Sequence, residues 1–533
     1  MVTAMKNNKN ALSMLKSTPW PAITAAAYAA AVLIWLPWYA TGYLQIAQEK
    51  LSAFLGVTIL AGLLLAATVP EKSDATRWKR QGRAAAFSAG TILISALLSG
   101  DCIAALWGSG GYLGGFVLTA GALLGCMGTA VFLKDAQALP LPFIISGAGV
   151  TLLGILNNFG LDPLGFRTEI SPDQHHLFFS TIGNADYLSA FLCLWLPLAM
   201  HRFAATGRAE ERWPAFVCAE IGFLGMASLD SGLTALGLAG AAVLLLLIVP
   251  LTAREIARYA VLAAGWAAAQ LIMGLLALRH PLLRTERPFA ALAQPAVAVA
   301  VISACLLMAL LLARKDKQSP GQVRLAAQRI VCTAAAVGTF VLLFLANCLG
   351  VSFGGLDNFL RVGPGWATGR GAIWVDVWYC FRQGTPLQIL FGRGPGTVHT
   401  ALAQMEKSLP YHLTDTIGAH NEYLELLLTT GIAGLVAWGI FLGIALRAAG
   451  ALLPREHQKR GWLFCVVAYL VQALFNNRVA VVFPVFMVLL GVLTSAPEET
   501  AARQKTGGLL LAALLLTAAG TLAGNALLHY LFI

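Results

Sequence analysis

Ala419-His-Asn-Glu-Tyr-Leu-Glu-Leu-Leu-Leu-Thr-Thr-Gly-Ile-Ala-Gly434 joins two kinds of sequence. Before it, residues 351–424 form one long polar stretch. That stretch holds Arg361, Arg370, Arg382, Arg393 and Lys407, three histidines (His399, His412 and His420), and the turn Gly394-Pro-Gly396. After it the chain turns apolar and stays so for long enough to cross a bilayer. A chain that keeps a single large basic loop beside an otherwise apolar body is expected to do its chemistry on that loop.

The rest of the chain reads as membrane. Of its 533 residues 58% are hydrophobic and 11% charged, with a mean hydropathy of +0.73, whereas soluble domains carry roughly 25% charged residues. Lipid leaves no water for backbone N–H and C=O groups, so the spans must be helices of about 20 apolar residues. Candidate spans are 20–39, 52–69, 84–100, 112–133, 142–160, 185–201, 213–228, 233–250, 259–278, 294–313, 330–350, 424–446, 462–477, 480–495 and 508–530. The expected fold is therefore all-α and polytopic, with about 12–15 transmembrane helices and one large extracytoplasmic loop. Helices 1–350 and 425–533 flank the 351–424 loop in a single membrane domain. The basic stretch Met1–Lys16 and the apolar run after it read as a retained first helix, not a removed signal peptide.

Orientation follows the Lys and Arg bias of short connectors. With the N-terminus inside, the inner connectors hold 25 Lys and Arg and the outer ones, omitting the long loop, hold 6. This puts 351–424 outside. Lys50, Arg167, Arg279, Arg284, Arg287 and Arg478 count as the outer cations. The nine cysteines contain no C-x-x-C pair, and seven fall in apolar runs where Cys acts as a small hydrophobe. Zinc is not expected, and no metal, cofactor or nucleic-acid partner is.

Several residue types suit chemistry on phosphate and hydroxyl groups. Arg suits bidentate phosphate recognition. Phe391-Gly-Arg-Gly-Pro-Gly-Thr397 can turn backbone N–H groups toward an anion, although a plain turn with solvated arginines accounts for it equally well. His420 can take a proton from a hydroxyl near neutral pH, with Glu422 or Glu425 orienting it or replacing it. The sequence does not choose among His420, His399 and His412. Asn184, Asp186 and Tyr187 open a helix, where Asn caps free N–H groups and the helix start favours an anion. No D-x-D, H-E-x-x-H or G-x-S-x-G is present, which disfavours metal-dependent transfer and leaves protease and hydrolase readings without support. Glu220 stands out as an ionisable residue within a span, too few for a proton path.

Four stretches together resemble the O-antigen ligase/polymerase (Wzy-type) membrane glycosyltransferases. They are Ser180-Thr-Ile-Gly-Asn-Ala-Asp-Tyr-Leu-Ser-Ala-Phe-Leu192, Gly369-Arg-Gly-Ala-Ile-Trp374, Ile389-Leu-Phe-Gly-Arg-Gly-Pro-Gly-Thr397 and Ala419 to Gly434. The resemblance implies a GT-C-like enzyme of the bacterial cytoplasmic membrane. Such an enzyme moves a glycan from an undecaprenyl-diphosphate carrier to an acceptor hydroxyl, with inversion and without metal, at the outer face. The acceptor is a glycan, a lipid or a protein; polymerase or ligase of a surface polysaccharide is the favoured expectation. Carried over, Arg370 binds the diphosphate and His420 activates the acceptor, supported by Asn421 and Glu422. Arg393, Asn184, Asp186, Tyr187, Gly394 and Gly396 join the substrate site. Many members place an Arg after a Ser at the outer end of a mid-chain helix. Here Leu229-Asp-Ser-Gly-Leu233 has Gly232 there, leaving Arg167, Arg284 or Arg287 to supply that contact. The rival expectation is a flippase for lipid-linked oligosaccharide, which would not need His420.

Overall fold

The computed structural model describes residues 20–68, 78–109, 111–229, 232–285, 289–318, 325–354, 357–413, 416–454, 456–496 and 506–532. Met1–Lys16, Asp230 and Ser231 of the 229–233 turn, and Arg287 lie outside these. Each apolar run contains a helix. In chain order these are α1 (Trp20–Trp38, α-helical to Ala30, then a π turn and a 3₁₀ turn), α2 (Ile46–Thr68), α3 (Lys79–Leu97), α4 (Phe116–Phe132), α5 (Pro140–Asn158), α6 (Ala185–Ala205), α7 (Ala209–Ser228), α8 (Leu233–Ile248), α9 (Ala253–Arg279), α10 (Pro295–Gln318) and α11 (Leu325–Asn347). The loop helix α12 (Trp366–Arg382) follows, then α13 (Glu422–Leu452), α14 (Lys459–Gln472), α15 (Phe483–Thr494) and α16 (Thr506–Phe532). Among the described residues nine helices are long and apolar enough to cross a membrane, and α4, α8 and α15 are shorter apolar helices. The only sheet among the described residues is a hairpin of β1 (Phe178–Phe179) and β2 (Gly183–Asn184), pairing Phe178 with Asn184.

The centre of the bundle is α6 and α15. All twelve residues of α15 are buried, and Trp195 and Phe191 of α6 are fully enclosed. Around them α6 packs on α7 and α14, α8 on α14, α4 on α15, and α3 on α13. Helices α10 and α11 are the opposite case, with most of their apolar side chains facing outward, as expected where lipid is the solvent. Helices α2 and α16 approach closely: a Cβ on Gly56 would lie 1.8 Å from the Gly520 carbonyl oxygen. Such small-residue crossings replace a hydrophobic driving force that lipid cannot supply.

Several cations that the sequence assigns to connectors instead close helix ends. Lys50 is fully buried, and its Nζ donates to the carbonyls of Leu36 (2.9 Å) and Pro37 (3.0 Å) at the end of α1. Lys459 donates to Leu493 (3.0 Å) and to the Ser495 carbonyl past α15. Arg258 reaches the carbonyls of Ala204 and Thr206 (2.9 Å each) at the end of α6. The last carbonyls of a helix have no intrahelical donor and carry partial negative charge, so a buried or half-buried cation there satisfies both itself and the helix.

The loop docks through a break in α13. Gly431 leaves helical geometry (φ 68°, ψ −173°). The carbonyls just before the break receive outside donors. Arg393 N–H donates to Leu428 (3.2 Å), while Gly394 N–H (2.8 Å) and the Ser95 hydroxyl (2.7 Å) both donate to Thr429. A Cβ on Gly431 would fall 2.3 Å from the Leu390 carbonyl oxygen. Beneath this seam the loop has its own small core, including Val377, Phe381, Val398 and Leu402. Gly431→Ala combines a left-handed φ with overpacking, and should destabilise the protein by roughly 2 kcal/mol or more. Thermal unfolding in detergent measures this; an unchanged midpoint would show that the break is dispensable.

Candidate active site

Arg370 follows three consecutive left-handed residues, Ala367 (φ 49°), Thr368 (φ 61°) and Gly369 (φ 91°). Two of these are not glycine, and such backbone concentrates at sites where the surroundings over-determine it. The Arg370 side chain braces that turn: its Nη1 lies 3.2 Å from the Ala367 carbonyl and 3.3 Å from the Thr368 hydroxyl. Its Nη2 makes a 2.7 Å ion pair with Asp186, at the start of α6. Its Nε is buried with no hydrogen-bond partner. Trp366, Trp374 and Phe475 form a three-ring cluster beside it, with centroids 5.6–5.9 Å apart.

Asp186 is held at its backbone from both sides. Asn184 caps α6 by accepting the Asp186 N–H (2.8 Å), and the Asp186 carbonyl accepts from Asn476 (2.8 Å). Tyr187 packs edge-on against Tyr112 (5.8 Å).

His420 lies two residues ahead of α13, with a left-handed φ of 46°. Its N–H donates to the Asn477 side-chain oxygen at 2.6 Å, and its Nδ1 is buried with no hydrogen-bond partner. Burial, first, and then the nearby Arg370 guanidinium push its pKa down to about 4, while Asp186 pulls the other way. The imidazole is therefore neutral at ordinary pH. Three groups that the sequence leaves far apart are brought near one another here: Arg370 and Asp186 pair, and both charges act on His420.

Other expected members take structural positions. Glu422 accepts from the Tyr469 hydroxyl (2.5 Å) and pairs with Arg478 (3.5 Å), so its carboxylate serves α14 and not the imidazole. Arg478 in turn lies over the rings of Trp438 and Phe483, 4.6 and 4.3 Å from their centroids. Glu425 accepts the Ala419 N–H at 3.5 Å. Asn421 caps α13 through the N–H groups of Tyr423 and Leu424. Arg393 points into the loop core, toward the Cys380 carbonyl (3.3 Å) and the Met405 sulfur. The glycine-rich turn is a staple. The N–H groups of Gly392, Arg393 and Gly394 are taken by Gln388, Leu428 and Thr429, and the Gly396 carbonyl accepts from Ser109. Three of its N–H groups are thus taken by carbonyls of the protein itself.

A cavity of about 1600 Å³ opens beside Arg370 and Asp186. Its mouth is polar, lined by Asn184, Asp186, Arg284, Asp357, Arg361 and Arg370, and its body is apolar, between α8 and α9, reaching Leu246, Leu251 and Tyr259. At 1.5 Å per residue the lining of α8 from Leu233 to Leu246 runs for about 20 Å, a large part of a hydrocarbon core of about 30 Å. A long apolar channel under a cationic mouth fits an amphiphile with an anionic head. Arg284 lines this mouth. Arg167 instead packs over Phe179, 6.0 Å from its ring centroid.

The turn Asn476-Asn477-Arg478 is what the sequence reading missed. It binds Asp186, His420 and Glu422 in succession. Its signal was present, as three adjacent polar residues between two apolar runs.

Residues 289–439 match the Wzy_C family, described as O-antigen ligase. The match contains Arg361, Arg370 and His420, and it supports an O-antigen ligase/polymerase-type family for the chain. No curated protein matches the sequence.

The depressed His420 pKa gives a stability signature. An unfolded chain protonates this imidazole near pH 6.5 and the folded one only near pH 4. Between these values the unfolded state binds more protons, so stability falls as pH falls through that window. His420→Gln should flatten the decline. Thermal unfolding of both proteins from pH 7 to 4.5 tests it, and parallel curves would mean that His420 is not held neutral.

Proposed function

We propose that this chain, a membrane protein of O-antigen ligase/polymerase type in polysaccharide assembly, transfers a glycan from an undecaprenyl-diphosphate carrier to an acceptor hydroxyl at the outer face of the membrane. The observation that carries the reading is the Arg370–Asp186 pair at the polar mouth of a long apolar cavity, with His420 close enough to feel both charges. The polyprenyl tail lies between α8 and α9, and the diphosphate meets Arg370, with Arg284 and Arg361 lining the same mouth. The glycan lies by the Trp366, Trp374 and Phe475 rings.

In the reaction the acceptor oxygen attacks the anomeric carbon and its proton moves to His420. The bond from that carbon to the phosphate oxygen breaks, and the electron pair stays on the diphosphate. Attack opposite the leaving group inverts the configuration. Negative charge develops on the bridging oxygen, so fixed positive charge there lowers the barrier. The planar guanidinium of Arg370 can hold two phosphate oxygens at once, which a lysine cannot. His420 is neutral and so can accept the proton. The product glycan belongs to a surface polysaccharide, by polymerisation or ligation.

Purified protein in vesicles, given undecaprenyl-diphosphate-linked oligosaccharide and no added metal, should release free carrier and lengthen or transfer the glycan. His420→Ala should lose roughly 10²–10⁴-fold. Arg370→Ala should lose activity too, with Arg370→Lys restoring little of it. Glycan crossing the bilayer unchanged, equally in all variants, would overturn the reading in favour of a flippase.

A further inference from the structure

We infer that Asp186 is a partner-switching carboxylate: it holds Arg370 until the donor's diphosphate claims that guanidinium, and it then turns to the His420 imidazole, so that acceptor activation waits on donor loading. This rests on the transfer reading above and gives Asp186 a role other than binding substrate.

The geometry around Asp186 allows side-chain motion alone. Its N–H is held by Asn184 and its carbonyl by Asn476, so the carboxylate can change partner without moving α6. Its one ion-pair partner among the described residues is Arg370, at 2.7 Å, and both line the cavity mouth. A diphosphate carries more charge than a carboxylate and forms parallel bonds to a guanidinium, so it displaces Asp186 from Arg370. The carboxylate released is then without a partner, while Asn476 and Asn477 tie the backbones of Asp186 and His420 to one turn, and the histidine's Nδ1 is buried and unbonded. A half-buried carboxylate and an imidazole whose Nδ1 is buried, each without a partner, are stabilised by pairing.

The other charged groups around His420 are already engaged. From α13, Glu422 is held by Tyr469 and Arg478, and Glu425 by the Ala419 N–H. From the 476–478 turn, Arg478 is bound to Glu422 and stacked on two rings. Tyr112 and Tyr187 pack on each other. Arg370 and Asp186 remain, and they act on the imidazole with opposite sign. Before donor loading the Arg370 cation disfavours imidazolium and His420 is a weak base. Afterwards the diphosphate neutralises Arg370 and Asp186 favours imidazolium, so His420 accepts the acceptor's proton more readily.

The test measures wild type, Asp186→Asn and Asp186→Ala in vesicles, with undecaprenyl-diphosphate-linked oligosaccharide as donor, and the Kd for undecaprenyl diphosphate alone. Loss of the competing carboxylate should tighten carrier binding by roughly tenfold while kcat falls at least about tenfold. Weaker or unchanged carrier binding, or an unchanged kcat, would overturn the switch. If the variants fail to fold, wild type alone can still overturn the switch. The acid limb of kcat/KM reports the enzyme before donor binding and that of kcat the loaded enzyme, so the kcat limb should lie higher by about one pH unit or more. Coincident limbs would sink the idea. Wild-type transfer abolished by His420→Ala, together with coincident limbs, leaves the transferase standing and removes only the switch; absence of wild-type transfer removes both.

Discussion

The hydrogen bond from the His420 N–H to Asn477, at 2.6 Å, belongs to a turn on which both halves of the site depend. Asn476 holds the carbonyl of Asp186, Asn477 the amide of His420, and Arg478 the carboxylate of Glu422. Helices α6 and α13 therefore start at a set distance from each other. The left-handed φ of His420 is unfavourable for a residue with a Cβ, and the short bond to Asn477 helps to maintain it. The loop is thus positioned from the membrane bundle below it as well as by its own small core.

Charge is handled differently in the two parts of the molecule. Within the bundle, Lys50, Lys459 and Arg258 end on helix carbonyls, and Arg478 has both a carboxylate and two aromatic faces. Each charge is met where it lies, as burial of an ion demands, although the Arg478 Nη2 is buried without a hydrogen-bond partner. Around Arg370 and His420 the compensation is incomplete as well. Arg370 keeps a buried Nε without a partner, and His420 a buried Nδ1. Unsatisfied polar atoms are costly in a low dielectric, and a site that must receive an anion and a proton is one place where such atoms are of use. The left-handed run Ala367-Thr368-Gly369 next to Arg370 agrees with this.

The cavity adds the apolar half of the same design. Helices α10 and α11 contribute little to the core, while α8 and α9 part to leave a channel running from the Arg370 mouth toward Tyr259. Polar groups collect at one end because only there can they reach one another and water. The separation of an anion-binding head from an apolar body follows from the depth of the membrane, and it is the same separation that an amphiphilic ligand carries.

Much of the fold was legible in the sequence. Run length and hydropathy are local properties, and lipid enforces helix on any run long enough to cross it, so each of the fifteen runs contains a helix. His420 and Arg370 were legible as residue types suited to proton transfer and phosphate binding. Their meeting was not, because it depends on contacts such as that of Arg370 with Asp186, 184 residues apart. Nor could the sequence separate Glu422 from His420: neighbours at a helix start look alike in one dimension, yet one faces Arg478 and the other Arg370 and Asp186. The glycine-rich turn was ambiguous for a related reason. A flexible backbone can offer its N–H groups to an anion or to a carbonyl, and the break at Gly431 supplies the carbonyls that take those of Arg393 and Gly394. The sequence by itself determined a helical membrane bundle with one polar loop. The tertiary structure alone decided which polar groups of that loop face the cavity and which are spent holding it in place, because pairing between distant side chains is set by packing and leaves no local mark.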